Sequence, residues 1–310
     1  MPHRSRIFRC GGRGRVAALL MEAELVLDAK TALGEAAIWH ARAERLYWVD
    51  VEAHRLHVFD PADGSDRQYE LGLPPGTVVP RASGGLMLAL GQGFAAFDLQ
   101  TGRLSPWASP EKDRPGNRFN DGKCDPAGRF WAGSISLARE EGAASLYCLL
   151  PDGSVRTMLE HVTNSNGIAW SPDRTTMYYI DTSTRRVTAF DYDLESGRIA
   201  NPRTVITIAP ERGKPDGMTI DAEGMLWIAL WDGGCVARFD PRSGAALTSV
   251  SVAARRVTSC ALGGPNLDDL YITTARIGLS EADLARQPHA GGLFRARPGV
   301  RGMPAFEFAG

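Results

Sequence analysis

From Ala23 onward the apolar residues come in short runs punctuated by Gly, Pro, Asp and Asn, and hardly any stretch carries a helical period. Such runs predict strands joined by tight turns. Two strand types recur. The first closes a turn, at residues 43–50, 83–90, 126–133, 172–181, 222–230 and 266–274. The second follows shortly after, at 55–60, 94–98, 145–150, 187–191, 236–240 and 292–295. One position ahead of each unit's first strand falls near Glu35, Val79, Asn120, Asn166, Asp216 and Ser259, at intervals of 44, 41, 46, 50 and 43 residues. Several short strands per repeat of this length predict an all-β, six-bladed β-propeller, with blades of four antiparallel strands around a central channel. A β-sandwich would not account for a regular six-fold recurrence. Residues 22–29 precede the first unit and are expected to supply an outer strand to the last blade, closing the ring and removing strand edges.

This makes 23–310 a single propeller domain and leaves 1–22 apart. There Arg4, Arg6, Arg9, Arg13 and Arg15 stand among glycines, and the apolar piece 16–21 is too short for a signal-peptide core. The expectation is a basic arm that is disordered, or that lies upstream of a natural start at Met21.

Composition narrows the function. The chain of 310 residues carries 35 basic and 36 acidic side chains, a balance that gives no sign of a nucleic-acid-binding surface. Without an apolar run of spanning length, no membrane partner is expected. The five cysteines are scattered and contain no C-x-x-C pair, which points to reduced thiols in a cytoplasmic protein. Nothing in the sequence assigns an oligomeric state.

In a propeller the residues leading into each first strand meet near one channel mouth. Glu35, Asn120, Asn166 and Asp216 are thereby gathered, two carboxylates and two carboxamides. Hard oxygens of this kind suit Ca²⁺, Mg²⁺ or Mn²⁺, and no Cys or His occupies these slots. Three protein ligands would leave positions for water and substrate. Glu35 opens an apolar strand, and a carboxylate buried there needs a cation or several hydrogen bonds. Arg118, two residues before Asn120, reaches the same mouth, with a solvated surface arginine as the alternative. Asp121 is a supporting group beside them or simply a turn residue.

Each motif has a plain alternative, because Asn120-Asp121-Gly122, Asn166-Gly167 and Pro215-Asp216-Gly217 are all ordinary turn sequences. Pro151-Asp152-Gly153 is an internal control: it repeats the last tripeptide between outer strands, where only a hairpin is expected. The histidines at 40, 54, 57, 161 and 289 lack metal-ligand spacing and are expected to face solvent. Trp39, Trp48, Trp131, Trp170 and Trp227 read as core between blades.

At these residues the chain resembles the senescence marker protein, regucalcin and gluconolactonase family. Gly34-Glu35, Arg118-Phe119-Asn120-Asp121-Gly122-Lys123 and Asp125-Pro126-Ala127-Gly128-Arg129 carry the likeness. Ser165-Asn166-Gly167, Tyr179-Ile180-Asp181, Pro215-Asp216-Gly217-Met218, Asp221-Ala222-Glu223-Gly224 and the terminal Phe308-Ala309-Gly310 extend it. The resemblance implies one divalent ion, Ca²⁺ first and Zn²⁺, Mg²⁺ or Mn²⁺ as alternatives, and hydrolysis of a small-molecule sugar lactone. It implies that Glu35, Asn166 and Asp216 are the metal ligands and that Arg118 and Asn120 contact substrate; Asp121, next to Asn120, is grouped with these as a candidate substrate-binding residue. Asp216 is then the expected catalytic base. A calcium-binding protein without turnover and an arylesterase or phosphotriesterase are the competing expectations. One stretch departs from the family pattern: after Ala132-Gly133-Ser134 the family can carry an acidic substrate contact. Here 135–138 lacks one, and Glu140 or Glu141 is the candidate substitute.

Overall fold

Six sheets stand around one axis in the computed structural model, which describes residues 21–310. The inner strands are Gly34–His40, Pro75–Pro80, Asn117–Cys124, Ser165–Trp170, Lys214–Ile220 and Val257–Gly263. Three further antiparallel strands follow each of the first five, giving blades 1 to 5 in chain order. Burial explains the gradient across a blade. The second strand of blade 2, Leu86–Leu90, is buried at every position, whereas the outer strand Ser65–Glu70 of blade 1 is largely exposed and charged. Charge on outer strands disfavours edge-to-edge pairing.

Blade 6 is closed as the sequence predicts. Glu24–Leu27 pairs antiparallel with Leu293–Ala296, so its outermost strand comes from the start of the described chain. The short strand Met21–Glu22 adds in parallel to Ala246–Ser251 of blade 5. These two residues were expected in the basic arm; they are fixed instead by the Ala23 N–H bond to Ser251 O. Residues 1–20, which hold the rest of that arm, lie outside the described residues. A six-residue helix, Glu281–Arg286, sits before the last strand, capped by Ser280 and Asp283.

Two buried aspartates explain the recurring Asp-x-x-Gly turns. Asp125 accepts from the Ala127 and Arg129 N–H groups, Arg129 Nε (2.6 Å) and Trp131 Nε1 (2.9 Å). Asp221 does the same with Glu223 and Met225 N–H, Arg238 Nε (2.8 Å) and Trp227 Nε1 (2.9 Å). Trp48, Trp131 and Trp227 are fully buried, and Trp39 stacks on Tyr271 at 5.7 Å, as the core reading expects. His57 departs from its expected solvent position: it is buried, with Nδ1 2.7 Å from Asp66 and its ring 4.1 Å from Trp48. The Asp66 carboxylate supplies the polar partner that solvent was expected to supply.

The C-terminal segment straps the base of the channel. Gly302 bonds Leu267 O of blade 6 and bridges Asp221 of blade 5. Glu307 meets His40 and Arg42 of blade 1 (both 3.0 Å). Phe308 donates to Pro80 O of blade 2, and Ala309 donates to Gly128 O of blade 3. Phe308 is fully buried, edge-on to Trp107 at 5.5 Å. Phe308→Ala is expected to cost about 3–5 kcal/mol in chemical denaturation. A loss below about 1 kcal/mol would mean the strap is not part of the cooperative unit.

Candidate metal centre

All six inner strands carry a break in register, and the predicted site residues sit at these breaks. The shifts lie between Glu35 and Ile38, Pro75 and Thr77, Phe119 and Gly122, Ser165 and Ile168, Pro215 and Met218, and Val257 and Ser259. A β-bulge leaves its extra residue unpaired and re-aims its side chain. Asn120, Asp121, Asn166 and Asp216 are therefore strand residues within bulges, not turn residues. In blade 1 Glu35 precedes the bulge, and Ala36 takes a left-handed φ of 54°. The slots of blades 2 and 6, estimated at Val79 and Ser259, are corrected to Gly76 and Thr258. Val79 is a buried core residue.

The glycines in these motifs serve close packing. A Cβ on Gly167 would lie 2.8 Å from Asp216 O, and one on Gly217 would lie 2.8 Å from Ser259 Cα. Each glycine lets its bulge press against the next inner strand, which narrows the mouth where the side chains meet. Gly153 has a φ of 87° instead, and Asp152 accepts from Ser154 N–H in an exposed hairpin, as the control requires.

A chain of contacts ties the site across blades 3, 4 and 5. Arg118 Nη1 donates to Asn120 Oδ1 (2.9 Å). Asn120 Nδ2 donates to Ser165 O (2.8 Å) and Asn164 Oδ1 (3.3 Å). Asn166 Nδ2 donates to Thr182 Oγ1 (3.0 Å), and Thr182 donates to Pro215 O (2.8 Å), next to Asp216. Thr258 Oγ1 of blade 6 donates to Gly34 O (2.6 Å), next to Glu35. Asp181 holds the loop ahead of Asn166 by accepting from Thr163 and Asn164 N–H, and Asp50 does the same for Ala32 and Leu33 ahead of Glu35. The Tyr-Ile-Asp motif thus sets the entry to the inner strand.

The electrostatics of Glu35 and Asp216 are linked. Burial, then repulsion from Asp216 and Asp121, pushes the Glu35 carboxyl well above its usual range. Burial and Asp121 do the same to Asp216, partly offset by the Asn166 side chain. Asp121 is raised by burial and eased by Lys123. Arg118 is lowered by burial, against the pull of Glu52 and Glu35. Two buried oxygens, Asn166 Oδ1 and Asp121 Oδ2, have no hydrogen-bond partner. Among the described residues no three His, Cys, Asp or Glu side chains form a ligand cluster, so a metal site here relies on the carboxamide. The donor set fits a hard cation: crowded carboxyls that resist ionisation and an orphaned amide oxygen are what a divalent charge would relieve.

Sequence reasoning missed Lys123 and Glu52. Lys123 is held by a hydrogen bond from Nζ to Met218 O, and burial lowers its pKa. The bulge after Phe119 is the only signal for Lys123, and alternation does not reveal it. Asn120 has both amide hydrogens and its oxygen engaged by protein, so its geometry anchors Arg118. Glu140 and Glu141 are exposed in the following turn.

A family profile described as the SMP-30/Gluconolactonase/LRE-like region matches residues 33–276. The chain belongs to this family. It is 40% identical over 290 residues to the provisionally named sugar lactone lactonase YvrE of Bacillus subtilis (strain 168), covering 94% of this chain and 99% of that one. It is 39% identical to Homo sapiens regucalcin over 295 residues, covering 93% and 98%. Among solved structures, a luciferin-regenerating enzyme superposes with a TM-score of 0.87 at 30% identity, covering 93% and 99%. The Agrobacterium tumefaciens str. C58 calcium-binding protein regucalcin gives 0.90 at 27%, covering 94% and 99%. As in these family members, the whole propeller is spanned, so the bulged inner strands lie within the shared fold. No helix among the described residues is long and apolar enough to cross a membrane.

Proposed function

We propose that the chain is a divalent-metal-dependent lactonase that opens aldonolactones such as gluconolactone. What supports this is the burial of Glu35, Asn166 and Asp216 on the inner strands of three blades, with Asn166 Oδ1 unpartnered and the Glu35 pKa raised by burial and by Asp216. These three would hold the ion. When bound, it supplies positive charge that polarises an acyl oxygen and favours the ionised carboxylates. Asp216, once ionised, takes the proton from the attacking water. Arg118, held by Asn120 Oδ1 and Phe119 O, presents its remaining N–H groups to the sugar hydroxyls. Asp121 balances Lys123 behind the site and keeps that side of the channel polar. Water adds to the ring carbonyl, the ring C–O bond breaks, and the freed hydroxyl receives a proton.

A calcium-binding role without turnover is the second reading, favoured by the name of the Agrobacterium relative. A chelator-stripped sample assayed on a panel of lactones separates the two. Adding Ca²⁺, Mn²⁺, Mg²⁺ or Zn²⁺ is expected to raise the rate by about 10²-fold or more for at least one ion, since several kcal/mol of charge stabilisation is at stake. A metal-induced rise in melting temperature with no turnover of any lactone would select the second reading.

A further inference from the structure

A cavity of ≈ 350 Å³ opens beside the candidate metal centre, lined by Ile135, Arg139, Thr163, Asn164, Thr182, Ser183, Arg185 and Lys214. Two of these residues belong to the contacts that build the centre: Asn164 accepts from Asn120, and Thr182 links Asn166 to the residue before Asp216. Through Asn164 and Thr182 the cavity adjoins the strands that carry Asn120, Asn166 and Asp216, so the far end of a bound molecule is the part that would occupy it. That end meets three cations and no carboxylate lining. Arg139 comes from the turn after Phe130–Ser136, Arg185 from the end of the turn Thr182–Thr184, and Lys214 from the start of Lys214–Ile220, so blades 3, 4 and 5 contribute one each.

Their charges are not spent within the protein. Among the described residues none of the three pairs with an Asp or Glu. Arg185 is anchored by donating to Gly213 O (3.0 Å) and Pro210 O (3.1 Å), neutral acceptors that fix the guanidinium without cancelling its charge. Glu140 and Glu141, beside Arg139 in sequence, do not line the cavity. Asp181 lies behind Thr163 and Ser183, and its oxygens are taken up by the N–H groups of Thr163, Asn164 and Ser183. Arg118 is different, because Glu52, Glu35 and Asp216 surround it. Three converging cations in a concave site raise the local concentration of anions and favour a charge-assisted contact.

We infer that the preferred substrate is an anionic sugar lactone, carrying a carboxylate or phosphate at the end remote from its ring carbonyl, with Arg139, Arg185 and Lys214 as the specificity-determining residues. This rests on the lactonase reading above. The test compares kcat/KM of the metal-loaded full chain for gluconolactone, its phosphate ester at the primary hydroxyl, and the monolactone of glucaric acid. At least one anionic lactone is expected to exceed the neutral one by about tenfold or more, the scale of one charge-assisted contact. In the Arg139→Ala/Lys214→Ala double variant that preference is expected to fall at least tenfold, mainly through KM, and added salt should erode it in the wild type. A phosphate-only or carboxylate-only gain names the anion. Equal kcat/KM for neutral and anionic lactones, or a preference untouched by the double variant, overturns the inference. If no lactone is turned over at all, the lactonase reading fails by itself. The pocket is then read by calorimetry with gluconate phosphate: binding that the double variant loses supports it, and absent or unchanged binding overturns it.

Discussion

Asp216→Asn is expected to lower kcat/KM for the lactone by about 10³-fold or more while the chain stays folded, since a positioned general base contributes roughly 10²–10⁴. The substitution is nearly isosteric. It keeps the bulge between Pro215 and Met218 and the close approach of Gly217 to Ser259, but it removes the proton acceptor and one negative charge. Metal affinity should fall as well, so calorimetric titration accompanies the kinetics and separates a lost base from a lost ligand at saturating ion. Because Asp216 sits buried beside Glu35 and Asp121, removing its charge relieves repulsion, and the metal-free variant should melt at or above the wild type. The matched control is Asp152→Asn, in the identical Pro-Asp-Gly tripeptide but in an exposed hairpin, where kcat/KM should not change. Near-wild-type turnover by Asp216→Asn at saturating metal would remove Asp216 from the chemistry.

That contrast between Asp152 and Asp216 indicates what the sequence could carry. Strand alternation and the repeat interval separate the two tripeptides because they report which strand of a blade a residue precedes. They locate Glu35, Asn166 and Asp216 on inner strands, and they give the strand from 22–29 that closes blade 6. Bulge position is not periodic. It depends on how closely neighbouring inner strands press together, which is why Val79 and Ser259 missed Gly76 and Thr258, and why Lys123 was invisible beneath Asp121. Burial of His57 was equally illegible, since its partner Asp66 is recruited across a strand pair, not by spacing. The cationic pocket is the extreme case. Arg139, Arg185 and Lys214 come from three different blades, and no local pattern relates them.

The second large effect is on stability, through Glu35. A carboxyl whose pKa is higher folded than unfolded holds its proton longer in the native state, so its contribution falls as pH rises through the unfolded value, 4.5 for Glu, toward the raised folded one. Ionising the metal-free centre therefore destabilises it, and a divalent ion, which needs the ionised form, should bind more tightly and release protons as pH rises. Surface aspartates held by turn donors, Asp98 by the Thr101 and Gln100 N–H groups and Asp193 by the Ser196 hydroxyl and N–H, act in the opposite sense, losing stability as pH falls. The informative quantity is thus the difference between Glu35→Gln and wild type, both metal-free, followed from about pH 4 to pH 8. The variant, which cannot ionise there, should gain melting temperature over wild type increasingly toward neutral pH. Saturating Ca²⁺ should reverse the order, since the wild type keeps the ligand and gains stability in proportion to ligand excess over Kd. A metal-free variant that melts below wild type at neutral pH would mean Glu35 is satisfied by protein contacts, and the centre would not need an ion to neutralise it.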